Sequence, residues 1–355
     1  MTSRELFREI MFYGDFDRMP VWHWAGWPET EKEWEEQGLE PGQNRHEYFN
    51  AGGLPWGVPV NLNLYPAFPT QTIEETPEYR IIQQGDGVIA KHWKDRSCIP
   101  QYLDFILTNR QAWEEQYKEK LQPNPARIAS DFDAIAERMN ASNRPLSVGT
   151  GSLVGWLRDW MGVVNFSYLQ FDDPELLAEM VDTISDLVCW SLDIVLPKVQ
   201  VDMGWGWEDI CGSSGPLISP EIFNAYVVPG YRKIADKLLE HGVQLYVVDS
   251  DGLIDDLLPG WFTGGVNVMF PVQIQPMGAD PMAFRRQYGK GLRIIGGIDK
   301  LVLTQDEAAI DAEIERRLPL MREGGFVPLP DHLIVPGTPL KNYVYYLNRL
   351  RELRF

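Results

Sequence analysis

From about residue 145 onward, short β-rich runs alternate with helical patterns, which restricts the chain to parallel strands joined by crossover helices. The runs are 146–149, 201–207, 243–248, 266–270, 292–295 and 326–329, short and largely apolar on both faces, four of them followed directly by glycine, aspartate or proline. Strands of that kind belong in a sheet covered on both sides. Adding runs at 20–24 and 58–64 gives the eight strands that close a barrel. The fold class expected is therefore α/β, a (β/α)8 TIM barrel. Residues 79–84 and 88–93, joined by Gly85-Asp86-Gly87, read as a β-hairpin outside the sheet, an N-terminal insertion at about 66–120 in a single domain over 1–355.

The helices between the runs carry their own punctuation. Asp173 is placed to cap a helix with Pro174 at its first position, and Leu176, Leu177, Met180, Val181, Ile184, Leu187 and Val188 form one apolar face. Thr304 with Glu307 reads as a capping box, and Gly324-Gly325 as the left-handed stop of the helix that follows. Pro339 opens a last amphipathic helix through Tyr343, Tyr346, Leu347 and Leu350.

Composition narrows the partners. The 355 residues carry 32 basic against 51 acidic side chains, a net charge of −19 that repels nucleic acid and anionic membrane surfaces. No apolar run approaches a membrane span, and the N-terminus lacks a signal-peptide core. Three cysteines, Cys98, Cys189 and Cys211, form no C-x-x-C pair and fit a reducing, cytoplasmic setting. There is no P-loop, no G-x-G-x-x-G after a strand and no G-x-S-x-G elbow, so no nucleotide cofactor is expected.

In a barrel, chemistry belongs where strands end. Those ends supply His23 and Trp24, Asn61 and Asn63, Arg158 in a following helix, Glu208-Asp209, Asp249-Ser250-Asp251-Gly252, Asp299 and Asp331-His332. Asp251 and Asp299 read equally well as helix N-caps. Thirteen tryptophans are many for this length, and Trp27, Trp156 and Trp207 are expected to share pocket walls with Trp24. Asp249-x-Asp251-Gly252 fails the calcium-loop pattern for want of a third oxygen ligand.

Four segments together resemble the uroporphyrinogen decarboxylase superfamily: Asp17-Arg18-Met19-Pro20-Val21-Trp22, Ile218-Ser219-Pro220-Glu221-Ile222-Phe223, Ile294-Ile295-Gly296-Gly297-Ile298-Asp299 and Asp331-His332-Leu333-Ile334-Val335-Pro336-Gly337-Thr338-Pro339. The resemblance implies a barrel enzyme, either a porphyrinogen decarboxylase or a corrinoid-dependent methyltransferase. Decarboxylases of this kind carry an arginine pair where this chain has His23-Trp24-Ala25-Gly26-Trp27, and an aspartate where Asn61 and Asn63 are the nearest polar groups. The expected activity is thus methyl transfer from a small O- or N-methylated compound to a corrinoid on a partner protein. Decarboxylation of a small carboxylated ring, with His332 and Arg158 contacting it, is the alternative, and a non-catalytic binding subunit the third reading.

The thiol-methyltransferase branch holds zinc with His-x-Cys and a later cysteine, and the matching positions here are Asp249-x-Asp251 and His332. With Glu208 these form an expected divalent-metal set, zinc being the candidate. Without metal, Asp249, Asp251 or Glu208 is the expected general acid. The same four residues, Glu208, Asp249, Asp251 and His332, are thus the expected catalytic set. Substrate contacts are expected from His23, Trp24, Trp27, Asn63, Trp156, Arg158, Trp207, Asp209 and Asp299. A homodimer is expected from the relatives.

Overall fold

The computed structural model describes residues 1–355. Seven of the apolar runs pair in parallel, each beside the next in sequence: β1 (Trp56–Val58), β2 (Leu146–Gly149), β3 (Met203–Trp207), β4 (Leu245–Asp249), β5 (Val268–Phe270), β6 (Arg293–Ile298) and β7 (Phe326–Pro330). Helices cross over between them, so the sheet is wound in one sense and curls into a partial barrel. Register places Asp249 beside both Trp207 and Phe270, so the ends of three neighbouring strands stand level.

The expected strand at 20–24 does not form as a ladder. That stretch is extended and makes isolated bridges on both sides: His23 N–H donates to Gly52 at 2.8 Å, and Trp27 N–H donates to Ile334 at 3.0 Å. It thus fills the gap between the chain leaving β7 and the chain entering β1. Pro20 and Pro28, which bracket it, have no N–H to extend a ladder. The second expected strand is also shorter, ending at Val58; Asn61 and Asn63 lie in a loop whose carbonyls accept from the Arg127 guanidinium at 3.0 and 2.6 Å.

The expected hairpin is present but is the middle of a four-stranded antiparallel sheet, Gln71–Glu75, Tyr79–Gln83, Ile89–Trp93 and Gln101–Asp104. Its two outer strands are exposed along their whole length, so they carry none of the inward–outward alternation by which a strand is recognised. At the central turn Asp86 accepts from Val88 N–H at 3.0 Å, and Gly87 takes φ +89.

Asp173 caps Pro174–Val195 through Leu176 N–H at 3.0 Å, and the expected apolar face is buried. Glu307–Glu323 is capped by Asp306, which accepts from Ala309 N–H at 2.9 Å, and not by Thr304, which lies in a 3-10 turn. Gly155–Asp172 is broken at Gly162, whose φ of +75 and ψ of 153 are non-helical; the Phe105 ring occupies the place a Cβ would take. No helix is long and apolar enough to cross a membrane.

Candidate functional site

The ends of β3, β4 and β7 bring together Asp209, Asp249, Asp251 and His332. Asp251 Oδ2 lies 3.0 Å from His332 Nε2, and Asp251 N–H donates to Asp209 Oδ1 at 3.0 Å. The other Asp251 oxygen is sealed from solvent with no hydrogen-bond partner. Asp209 sits at φ +49, a left-handed conformation that aspartate tolerates better than most residues, and this turns its side chain back toward β4.

Burial pushes the Asp249 carboxyl well above the usual carboxylate range, the charges of Asp209 and Asp251 push it further, and the Trp205 side chain offsets part of this. Asp209 is raised for the same reasons, burial first and the Asp251 charge second. For His332 burial acts downward, but its bond to Asp251 and that carboxylate's charge outweigh it and raise the imidazole.

Aromatic rings enclose the cluster. Trp27 stacks on His332 with centroids 5.7 Å apart and planes at 15°, Trp24 meets Phe270 edge-on at 4.8 Å, and Trp205 also packs on Phe270, tilted, at 5.1 Å. Arg158 is committed within the chain: it donates to the Asp209 carbonyl at 2.6 Å, pairs with Asp159 at 2.9 Å and lies 5.6 Å over the Trp207 ring. Beside the cluster, Asn63, Trp156 and Trp207 line a cavity of about 420 Å³.

Three expected site residues stand elsewhere. Glu208 is 1% exposed, and its carboxylate accepts from the backbone N–H groups of Leu153 (2.8 Å), Val154 (3.0 Å) and Gly155 (2.7 Å), from Ser152 Oγ (3.0 Å) and from the Tyr231 hydroxyl. It is an internal carboxyl at the N-terminus of Gly155–Asp172, tying β3 to the loop after β2; burial raises it, against the pull of these donors. With five donors on it, no lone pair is left for a metal or a substrate. His23 points away from the cluster: its Nδ1 meets the Tyr343 hydroxyl at 2.9 Å, among Phe49 and His46. Asp299 caps the 3-10 turn Lys300–Thr304 through Leu301 N–H at 2.9 Å.

The donors do not fit a metal ion. With Glu208 turned away, no group of three or more histidine, cysteine, aspartate or glutamate side chains stands at ligating spacing. Burial, then the neighbouring carboxylates, pushes the Cys211 thiol up to about 12.

Two acids of this region escaped the sequence reading. Asp159, on the helix with Arg158, is raised to about 6, by burial first and against the pull of Arg158, and lines the cavity with Asp86. The sequence reading places Asp86 only in a turn and does not single out Asp159. The sequence signal for Asp159 is its neighbour Trp160; Asp86 has no tryptophan beside it.

Comparison with known proteins agrees with this architecture. The family model described as uroporphyrinogen decarboxylase matches residues 118–353. A uroporphyrinogen decarboxylase of Syntrophotalea carbinolica is 27% identical over 192 residues, 52% of this chain and 51% of that protein. One of Sphingopyxis alaskensis is 22% identical over 271 residues, 71% of this chain and 70% of that protein. The chain thus spans about half the length of the first relative in that match. A methyltransferase from Methanosarcina mazei superposes with a TM-score of 0.63 over 99% of this chain and 98% of that one, at 15% identity, a likeness of fold.

Proposed function

The chain belongs to the uroporphyrinogen decarboxylase family, and from that premise we propose that it is a methyltransferase taking a methyl group from a small O- or N-methylated compound. The observation that carries this reading is Asp249, a carboxyl that burial and two neighbouring carboxylates raise well above the usual carboxylate range, at a mouth walled by Trp24, Trp27, Trp205 and Phe270. Such a wall suits an apolar methylated group. A polycarboxylate would meet three aspartates and no free guanidinium, because Arg158 is already engaged.

A reduced corrinoid on a partner protein supplies the nucleophile that accepts the methyl group. The chain's own task is to seat the substrate and manage a proton. As the methyl–oxygen bond breaks, its electron pair stays on oxygen, and the Asp249 proton passes to that oxygen so that a neutral alcohol leaves. Asp249 is then reprotonated from solvent. His332 and Asp251 hold one another across the mouth and keep Trp27 stacked in place.

Decarboxylation is the second reading, and one observation favours it: Arg158 Nε is buried without a partner. The two separate in one experiment. The protein is incubated with reduced free corrinoid and a panel of methoxyarenes and methylamines, while methylation is followed by absorbance. Methylated corrinoid supports the proposal; no methyl transfer from any member overturns it. Carbon dioxide released from aromatic acids without corrinoid supports the second reading.

A further inference from the structure

We propose that the cavity between the mouth and the antiparallel sheet is a binding site for a methylated ammonium group. It lies where the loop after β1, the Gly85-Asp86-Gly87 turn, the start of Gly155–Asp172 and the end of β3 meet. At about 420 Å³ it has room for a quaternary or tertiary ammonium with an organic substituent.

Its lining is made of two kinds of group. Trp156 and Trp160 stand nearly parallel, centroids 5.8 Å apart at 23°, and present one aromatic wall; Trp207 contributes another ring. Asp86 and Asp159 are the charged lining groups, and Asn63 adds an amide; no lysine or arginine lines the space. Indole faces attract cations, and quaternary ammonium ions most suit such a site because their methyl groups contact rings without demanding hydrogen bonds. A metal ion would need a shell of oxygens in place of tryptophans. A primary ammonium would need three acceptors converging at one point.

Asp86 has no ion-pair partner, and the Arg158 guanidinium that pairs with Asp159 at 2.9 Å stands outside the lining. Asp86 spends one oxygen on Val88 N–H, and its burial raises it; Asp159 is raised by burial despite Arg158, with Asp86 and Asp209 adding to the effect. A bound cation would offset that burial. Asp159 and Trp207 also line a neighbouring cavity of about 570 Å³ that includes Asp209, so the site adjoins the acidic cluster at the mouth. The proposal deepens the methyl-transfer reading by naming a substrate class, an N-methylated organic cation. From a quaternary donor the departing amine takes the electron pair of the broken C–N bond and leaves neutral, with no proton needed.

The test is calorimetric binding to the full chain, with choline and phenyltrimethylammonium as cations and 3,3-dimethylbutan-1-ol as the neutral isostere of choline. The expected result is at least tenfold tighter binding of the cations, and at least tenfold loss in both Asp159→Asn and Trp156→Leu, with circular dichroism unchanged. Equal binding of the neutral isostere, undiminished cation binding in Asp159→Asn, or no binding of either cation at millimolar concentration overturns it. Methyl transfer from methoxyarenes without ammonium binding would end this proposal and leave the methyl-transfer reading standing. Ammonium binding without any methyl transfer would do the reverse.

Discussion

His332 Nε2 and Asp251 Oδ2 meet at 3.0 Å, joining residues 81 positions apart and clasping the ends of β4 and β7 across the mouth (332 − 251 = 81). The His332 imidazole is raised above its ordinary value of about 6.5. A group raised on folding contributes stability that is complete below its unfolded pKa and is lost as pH rises through the folded one. The pair is partly exposed, at 19% and 30%, so its worth is on the order of 1 kcal/mol. Asp251→Asn is therefore expected to destabilise the protein at pH 6 and to have little effect at pH 9. Urea unfolding at both pH values checks this, and equal losses would refute it.

Asp249 shows a dependence of the same sign that begins at lower pH. Its carboxyl is raised on folding, so the folded state binds the proton more tightly than the unfolded chain and stability falls as pH climbs above about 4. Asp249→Asn removes that dependence, and the variant should gain on the wild type as pH rises. Methyl transfer from an ether should drop by about 10² to 10⁴ if its proton is used. A stable variant with unchanged turnover would remove Asp249 from the chemistry.

Glu208→Ala leaves three backbone N–H groups, Ser152 Oγ and the Tyr231 hydroxyl without their acceptor. A loss of about 3–4 kcal/mol of stability is expected. Thermal unfolding measures it. Retained stability with abolished turnover would instead mark Glu208 as a reacting group.

His23 is pushed down to about 4, by burial first and then by the charges of His46 and Arg45. A histidine kept neutral in the fold costs stability as pH falls from about 6.5 toward 4, because the unfolded chain takes up the proton first. His23→Phe should flatten this acid-side loss while leaving substrate affinity unchanged. A changed KM with an unchanged stability profile would place His23 at the substrate after all.

The short strands and amphipathic helices were legible because their signals are local. The six apolar runs after residue 145 all form strands, and the Asp173-Pro174 start and Gly324-Gly325 stop fall where expected. Thr304 lost its capping role to Asp306 because Lys300–Thr304 closes as a 3-10 turn, a choice between neighbouring polar residues that spacing cannot make. The outer strands of the antiparallel sheet were invisible because they bury nothing.

By itself the sequence determined which residues stand at strand ends, and so the acidic and aromatic character of the mouth. Only the tertiary structure decided the division of labour among them. Glu208 and Asp209 are neighbours in the chain, yet one carboxylate is consumed by donors 23 to 56 residues away and the other turns toward Asp251. A carboxylate's function depends on which donors reach it and how much water is left around it. Both are set by contacts between distant segments, and no local pattern encodes them.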